Sequence, residues 1–423
     1  MEPAVWRELA PLEPGCVERW SDLAATAPSL GALDRLRAAR GPEVARFVSL
    51  QAELARQHRG RLDGAALRFL TSKGAEQATA TAVARHRAER FARAGEGWIP
   101  WDACCGIGSD LLALAERFDR VLATDLDADT LRCATANLAC AQPSTPQGRG
   151  PRAHANWFAA LGDAITPPFL PSLETKILGL FDPDRRPEGS REGRADRWSP
   201  SLDAVFRAAA NLGGACVKLP PSLEESVLTG PAGDLSLALS WTSLDGEMKE
   251  LSAWTGILAT GRPEREAISL RSSGEARSYS GPGQALPEAE REPRPGQWLV
   301  ELDPALWRAD LAGAFAAEHG AAPLEAPGPG GFLVARAAVA HPMARSWRVD
   351  DVVPADRRRV RAMLREHAVG PLTVKTRHHP ETAEALTRRF RSPGPRAGLL
   401  AVTRVAGRAL ALLLGDEHRE GRS

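Results

Sequence analysis

The sequence predicts an α/β protein, with a Rossmann-like and mostly parallel sheet, a helical region before it and smaller α+β modules after it. Three observations carry that expectation. Residues 101–127, WDACCGIGSDLLALAERFDRVLATDLD, read as strand, tight glycine turn, helix, second strand and an acidic residue, the opening half of a mononucleotide-binding unit. Apolar runs of strand length then alternate with helical segments, and Asp102, Asp125, Asp163 and Asp182 fall at the ends of successive strands. Ligands bind at those ends in parallel α/β sheets. From Gln297 the pattern changes to short strands and helices in the order of a small mixed sheet.

Length and charge bound the organisation. At 423 residues the chain exceeds one ordinary domain, and two to four are expected. A hydrophobic fraction of 43% with 25% charged residues is that of a soluble globular protein. The net charge of +1 points to no partner, but residues 341–423 hold 17 Lys/Arg against 9 Asp/Glu, leaving 37 against 44 elsewhere. A basic C-terminal module on a mildly acidic body suits a nucleic-acid-binding appendage, and a solvated Arg-rich surface is the competing reading. The N-terminus lacks the basic start and apolar core of a signal peptide, and no run of ~18 apolar residues predicts a membrane span. The 6 cysteines form no Cys-x-x-Cys pair and no zinc spacing, so no metal is expected, and the compartment is read as a reducing cytoplasm.

The elements follow in order. Residues up to about 95 read as helical, with Leu30, Leu33 and Leu36 and then Val44, Phe47 and Leu50 at helical spacing. One further helix is expected over 75–93, with Gln77, Thr79 and Arg87 either lining a ligand mouth or lying on the surface of a packing helix. Strand one is IPWDACC, helix one spans 109–118, strand two is RVLATD and helix two spans 128–140. The stretch 143–151 is a loop by composition. Strand three ends at Asp163, strand four (KILGLF) stops at Asp182-Pro183, a helix capped by Ser199 or Ser201 follows, and strand five is GACVKL. Asp245-Gly246 marks a hairpin completing the sheet as an antiparallel edge, and residues 261–296 read as a surface connection. One strand, one helix over 304–320 and another strand then form a β-α-β element. Two strand-helix pairs and a final hairpin at Ala406-Gly407 close the chain.

The residues also discriminate between ligands. Gly106 and Gly108 let a ligand approach backbone with no Cβ in the way. A dinucleotide fingerprint needs a small residue where Leu111 stands, and Asp110 puts a carboxylate where a pyrophosphate would meet the helix N-terminus, so NAD and FAD fit poorly. S-adenosylmethionine has no phosphate and carries a sulfonium and an ammonium, which suit Asp102 and Asp110. Asp125 can accept ribose hydroxyls, and Asp163 can reach an adenine amine. Asp182 and Pro183 stand where a methyl acceptor would be held, with proximity and orientation as the main demand. Arg185 and Arg186 are candidates for an anionic or base-stacking contact, or for ion pairs with Asp184 or Glu188. Cys216 lies in an apolar strand and reads as a core thiol. Trp241 and Trp254 read as packing.

These segments together resemble bacterial class I S-adenosylmethionine-dependent methyltransferases with a THUMP-like C-terminal domain. AEQATATAVARHRAERF, DACCGIGSDLLALA, DPDRR, WTSLDGEMKELSAW and VELDPALWRADL carry the resemblance, as do the closing RSWRVDDV, LTVKTRHHPETAEALTRRF and LLAVTRVAGRALALLL. It implies a helical region over 1–95, a methyltransferase domain over 96–290, a ferredoxin-like element over 291–340 and a THUMP-like domain over 341–423. THUMP domains proper occur in RNA-modifying enzymes, so a structured RNA such as tRNA or rRNA is the implied acceptor. A small-molecule or protein acceptor, and a non-catalytic S-adenosylmethionine- or RNA-binding protein, remain alternatives. Relatives more often read Asp-Pro-Ala-Arg-Arg in the acceptor loop, and Asp184 departs from that pattern.

Overall fold

The computed structural model describes residues 29–62, 69–141, 156–166, 176–184, 198–325 and 330–418. They divide into two compact units. Of these described residues, the first unit takes those up to 239 with 250–262 and 270–275, and the second takes 240–249, 263–269 and those from 276 onward.

In the first unit, helices α1 (Leu30–Arg40) and α2 (Pro42–Gln57) precede the sheet. The amphipathic α2 buries Val44, Phe47, Val48 and Leu54, whereas Leu30 and Leu50 stay exposed. The single helix expected over 75–93 is two, α3 (Ser72–Gln77) and α4 (Thr81–Ala92). Ala78 and Ala80 between them are extended, with ψ of 139° and 135°. No glycine or proline announces this break; it coincides with side-chain bonding by Thr79.

The sheet core follows as β1 (Ile99–Asp102), α5 (Ser109–Ala115), β2 (Arg120–Asp125), α6 (Ala128–Cys140), β3 (Asn156–Leu161), β4 (Ile177–Phe181), α7 (Leu202–Ala209) and β5 (Gly214–Leu219). Ser201 caps α7, its hydroxyl accepting from Ala204 N. A short α8 (Thr229–Ala232) leads to β6 (Ala238–Leu244), whose residues from 240 are counted in the second unit, and β7 (Glu247–Gly256) follows, counted in the first from residue 250. Strand order is β3-β2-β1-β4-β5-β7. The first five are parallel, and β7 runs antiparallel to β5 with Cys216 opposite Trp254. Asp245 and Gly246 both take positive φ (51° and 82°), the geometry of a tight two-residue hairpin. Order β2-β1-β4 places the reversal of winding at β1, so the carboxyl ends of β1, β2 and β4 bound the crevice where such sheets take ligands. The core beneath it packs Leu111, Leu112, Leu114, Val121, Leu178 and Leu180, all nearly inaccessible. Trp254 is buried edge-on to Phe91, with the Arg90 guanidinium 4.1 Å from its ring centre.

The second unit adds β8 (Arg265–Leu270) and β9 (Ala276–Ser280), which correct the surface connection expected over 261–296. Ala267, Ile268 and Leu270 are buried, a strand concealed by the Gly-, Pro- and charge-rich composition around it. Then come β10 (Trp298–Leu302), α9 (Pro304–Arg308), α10 (Ala312–Glu318), β11 (Ala321–Pro323) and β12 (Leu333–Ala335). The one helix expected here is broken at Asp310, which takes a φ of 55°. The chain continues through β13 (Ala344–Pro354), α11 (Arg357–Glu366), β14 (Val369–Arg377), α12 (Ala383–Arg389), β15 (Arg396–Val405) and β16 (Arg408–His418). Strands β10 to β16 form a seven-stranded sheet, β11-β12-β10-β13-β16-β15-β14, mixed because β14 and β15 are parallel. On β16, Leu410, Leu412 and Leu414 enter one core and Ala411 and Leu413 another, so the two-residue period of a strand serves a layer on each face. The second layer holds Val360, Met363 and Leu364 of α11 with Leu386 of α12 and Phe390. No helix among the described residues is long and apolar enough to cross a membrane.

Candidate functional site

The turn after β1 is built from backbone. Gly106 and Gly108 take φ of 55° and 91°, a region that costs an L side chain about 1 kcal/mol or more. A Cβ on Gly106 would meet nothing within 4 Å, so that glycine borders open space; one on Gly108 would press on Ala134 of α6 at 3.2 Å. Asp125 clasps the turn from the end of β2. Its carboxylate accepts from Gly106 N and Asp127 N, each at 2.9 Å. Burial pushes this carboxyl up, and the N–H groups of Asp127 and Gly106 partly offset the rise. From below, the buried amide of Asn137 accepts from Phe69 N at 2.7 Å and donates to the carbonyls of Phe69 and Ile107 at 2.9 Å. Asp163 lies two residues past β3, accepting from Ile165 N at 3.0 Å. Leu126 and Ile165, at those same strand ends, are 61% and 40% exposed, an apolar border that sequence reading did not single out.

The other half of the site is an ion network. Asp110, in the first turn of α5, is 7% exposed and uses both carboxylate oxygens. One accepts from Arg87 of α4, and the other accepts from Thr79 Oγ1 at 2.7 Å and from Lys218 Nζ of β5 at 3.1 Å. Lys218 also donates to Thr79 Oγ1 at 2.7 Å and to Asp182 past the end of β4. Arg87 reaches on to Glu250 of β7 at 2.5 Å. Burial alone would push Asp110 up, but Arg87 and Lys218 outweigh it and hold its carboxyl down to about 2. Burial likewise opposes the charge on Lys218, yet Asp110 and Asp182 raise its pKa. The extended break at Thr79 brings its hydroxyl to Asp110 and Lys218 and its carbonyl to Ser109 Oγ at 2.6 Å.

Asp102 completes the group from the end of β1. It is 2% exposed, and its Oδ2 has no hydrogen-bond partner among the described residues. Burial raises its pKa well above the usual range, and Asp110 and Asp182 add to the rise while Lys218 and Arg87 oppose it. Asp110, Asp182 and Glu250 thus face Arg87 and Lys218, three carboxylates against two cations, with the buried Asp102 carboxyl beside them. Such a cluster favours a cationic ligand and repels a phosphate. The ammonium and sulfonium of S-adenosylmethionine fit it, with the unpartnered Asp102 oxygen as the vacant acceptor.

Of the other candidates, Pro183 is buried and Asp184 ion-pairs with Lys73 at 2.9 Å. Arg185 and Arg186 lie outside the described residues. Cys216 is fully buried, and burial pushes its thiol up to about 12. Sequence reading passed over Lys218 and Glu250. A charged residue inside an otherwise apolar strand (ACVKL) was the available signal for the first, because such a charge needs a partner.

Residues 344–416 match the family described as THUMP domain-like. Two uncharacterised S-adenosylmethionine-dependent methyltransferases of Mycobacterium tuberculosis, from strains CDC 1551 and H37Rv, are each 28% identical over 349 residues, covering 81% of this chain and 86% of theirs. A provisionally assigned methyltransferase of Porphyromonas gingivalis W83 superposes with a TM-score of 0.72 at 16% identity, covering 94% of this chain and 97% of that one. Fold and homologues agree: this chain is an S-adenosylmethionine-dependent methyltransferase with the class I fold and a C-terminal THUMP-like domain.

Proposed function

We propose that the methyl acceptor is a structured RNA, tRNA or rRNA, held by the basic C-terminal domain. The observation that carries this reading is α11. Val360, Met363 and Leu364 turn one face of it into the core, while Arg357, Arg358, Arg359 and Arg365 are exposed on the remainder. Within a THUMP-like domain whose sequence region carries a net +8, that face suits a phosphate backbone.

In the methyltransferase unit, Gly106 and Gly108 admit the cofactor to the backbone, Asp125 and Asp163 take its hydroxyl and amine hydrogens, and Asp102 takes its ammonium. When bound, S-adenosylmethionine supplies a methyl group on a cationic sulfur that departs as a neutral thioether, so orientation is the main catalytic demand. Asp182 and the Pro183 carbonyl offer acceptors that hold an amine or hydroxyl of the substrate by its hydrogens. Arg185 and Arg186 follow directly in sequence and suit a phosphate or a base plane.

Nucleoside mass spectrometry of RNA from a deletion strain, followed by remethylation with purified protein, tests the reading. One modified nucleoside should vanish in the strain and return in vitro. Methyl transfer to protein or small molecules with none to RNA removes it. Replacing Arg357, Arg358 and Arg365 by Ala should weaken RNA binding across sequences and lower the salt slope by about one for each phosphate no longer neutralised.

A further inference from the structure

The reading of Asp182 as an acceptor contact leaves Lys218 without a role, although it bonds to three side chains of the site. An ammonium has three N–H donors. Lys218 has three acceptors within reach: Thr79 Oγ1, Asp110 Oδ2 and Asp182 Oδ2. Its side chain is 10% exposed, whereas that of Asp182 is 37% exposed. The lysine is therefore enclosed with every donor spent, and the carboxylate it grips is open to the outside. A group in that state does not contact substrate itself. Its proton is held by two carboxylates, which rules it out as a base.

We propose that Lys218 is a positioning residue for methyl transfer: it fixes the Asp182 carboxylate relative to Asp110 on the cofactor-side helix, committing one oxygen so that the acceptor meets the other. The inference rests on the reading of Asp182 as an acceptor-holding group. It also accounts for the order of the elements involved. Asp110 lies at the start of α5, immediately after the glycine turn, and Asp182 at the end of β4. Lys218, on the neighbouring β5, is the single side chain among the described residues that bonds to both. Asp110 keeps Arg87 and Thr79 when the lysine is removed, but no other side-chain donor to Asp182 is seen among the described residues.

The test compares Lys218→Met and Lys218→Arg with wild type in the full chain, using amide hydrogen exchange, S-adenosylmethionine affinity by calorimetry, and RNA methylation kinetics. In Lys218→Met, exchange over residues 177–184 should accelerate by about tenfold or more while residues 109–115 change little. Affinity for S-adenosylmethionine should stay within about threefold, and kcat should fall about 10²-fold, the cost of a misplaced contact. Lys218→Arg should recover most of both effects. Unchanged exchange over 177–184 overturns the proposal, as does a loss of kcat matched by an equal loss of cofactor affinity. If Lys218→Met does not fold, Lys218→Gln combined with Asp182→Asn removes one charge of each sign and carries the same exchange measurement. Should wild type methylate no RNA, the acceptor reading fails, and the exchange data still decide whether Lys218 positions Asp182.

Discussion

The two halves of the methyltransferase site are held by different means. On the side of β1 and β2, shape comes from main chain: two glycines at positive φ, with Asp125 accepting from the turn's own N–H groups. On the side of β4 and β5, shape comes from side-chain charges on α4, α5, β5 and β7 that meet away from water. A main-chain turn tolerates changes around it provided the glycines remain. A buried ion network tolerates little, because removing one partner leaves a desolvated charge unpaired.

The largest effect should follow from attacking that second half at its centre. Arg87→Met removes the guanidinium between Asp110 and Glu250, leaving Asp110 to Thr79 and Lys218 and Glu250, among the described residues, to Ser252 alone, and should destabilise the protein by about 3 kcal/mol. Urea unfolding measures it, and a wild-type midpoint would erase the contrast between the halves. The first half should respond in binding more than in stability. Asp125→Ala is expected to weaken S-adenosylmethionine by roughly 30- to 100-fold, about 2–3 kcal/mol, with calorimetry as the readout. Unchanged affinity would detach Asp125 from the cofactor.

The smallest effect sharpens the comparison, because Asp102 belongs to both halves. Its pKa is raised in the fold, so the folded state keeps a proton that the unfolded chain gives up near pH 4. Stability from this group is therefore present below about pH 4 and is lost as pH rises toward the folded value. Asn does not titrate and escapes that loss. Asp102→Asn should thus melt about one to a few degrees higher than wild type at pH 7–8 without cofactor, with no gain near pH 3. It should also bind S-adenosylmethionine more weakly, having lost the charge that meets the ammonium. A melting point that is lower at pH 8 would show that the Asp102 carboxylate is paired in the fold.

How much of this was legible in sequence follows the same division. Main-chain devices announce themselves locally, as the glycine turn, the Asp245-Gly246 and Ala406-Gly407 hairpins and the Ser201 cap did. Strand ends were legible too, since an acid closing an apolar run marks a boundary. What failed was long-range or masked by composition. Arg87 and Glu250 stand 163 positions apart, and Lys218 lies 139 from Thr79, so no local pattern joins them. The break between α3 and α4 has no breaker residue and accompanies the placement of Thr79. Strands β8 and β9 were hidden by their polar surroundings, and the β10–β12 element proved continuous with the sheet of the C-terminal domain.

Asn137 has a consequence for the thermodynamics of ligand capture. Its single amide closes three main-chain groups around the glycine turn, two on Phe69 and one on Ile107. The turn's conformational freedom is thereby surrendered during folding, before any ligand arrives. A ligand then meets a preformed mould and owes little ordering entropy of its own. Loosening that amide would leave the ligand's contacts intact and shift the cost of ordering the turn onto the binding event.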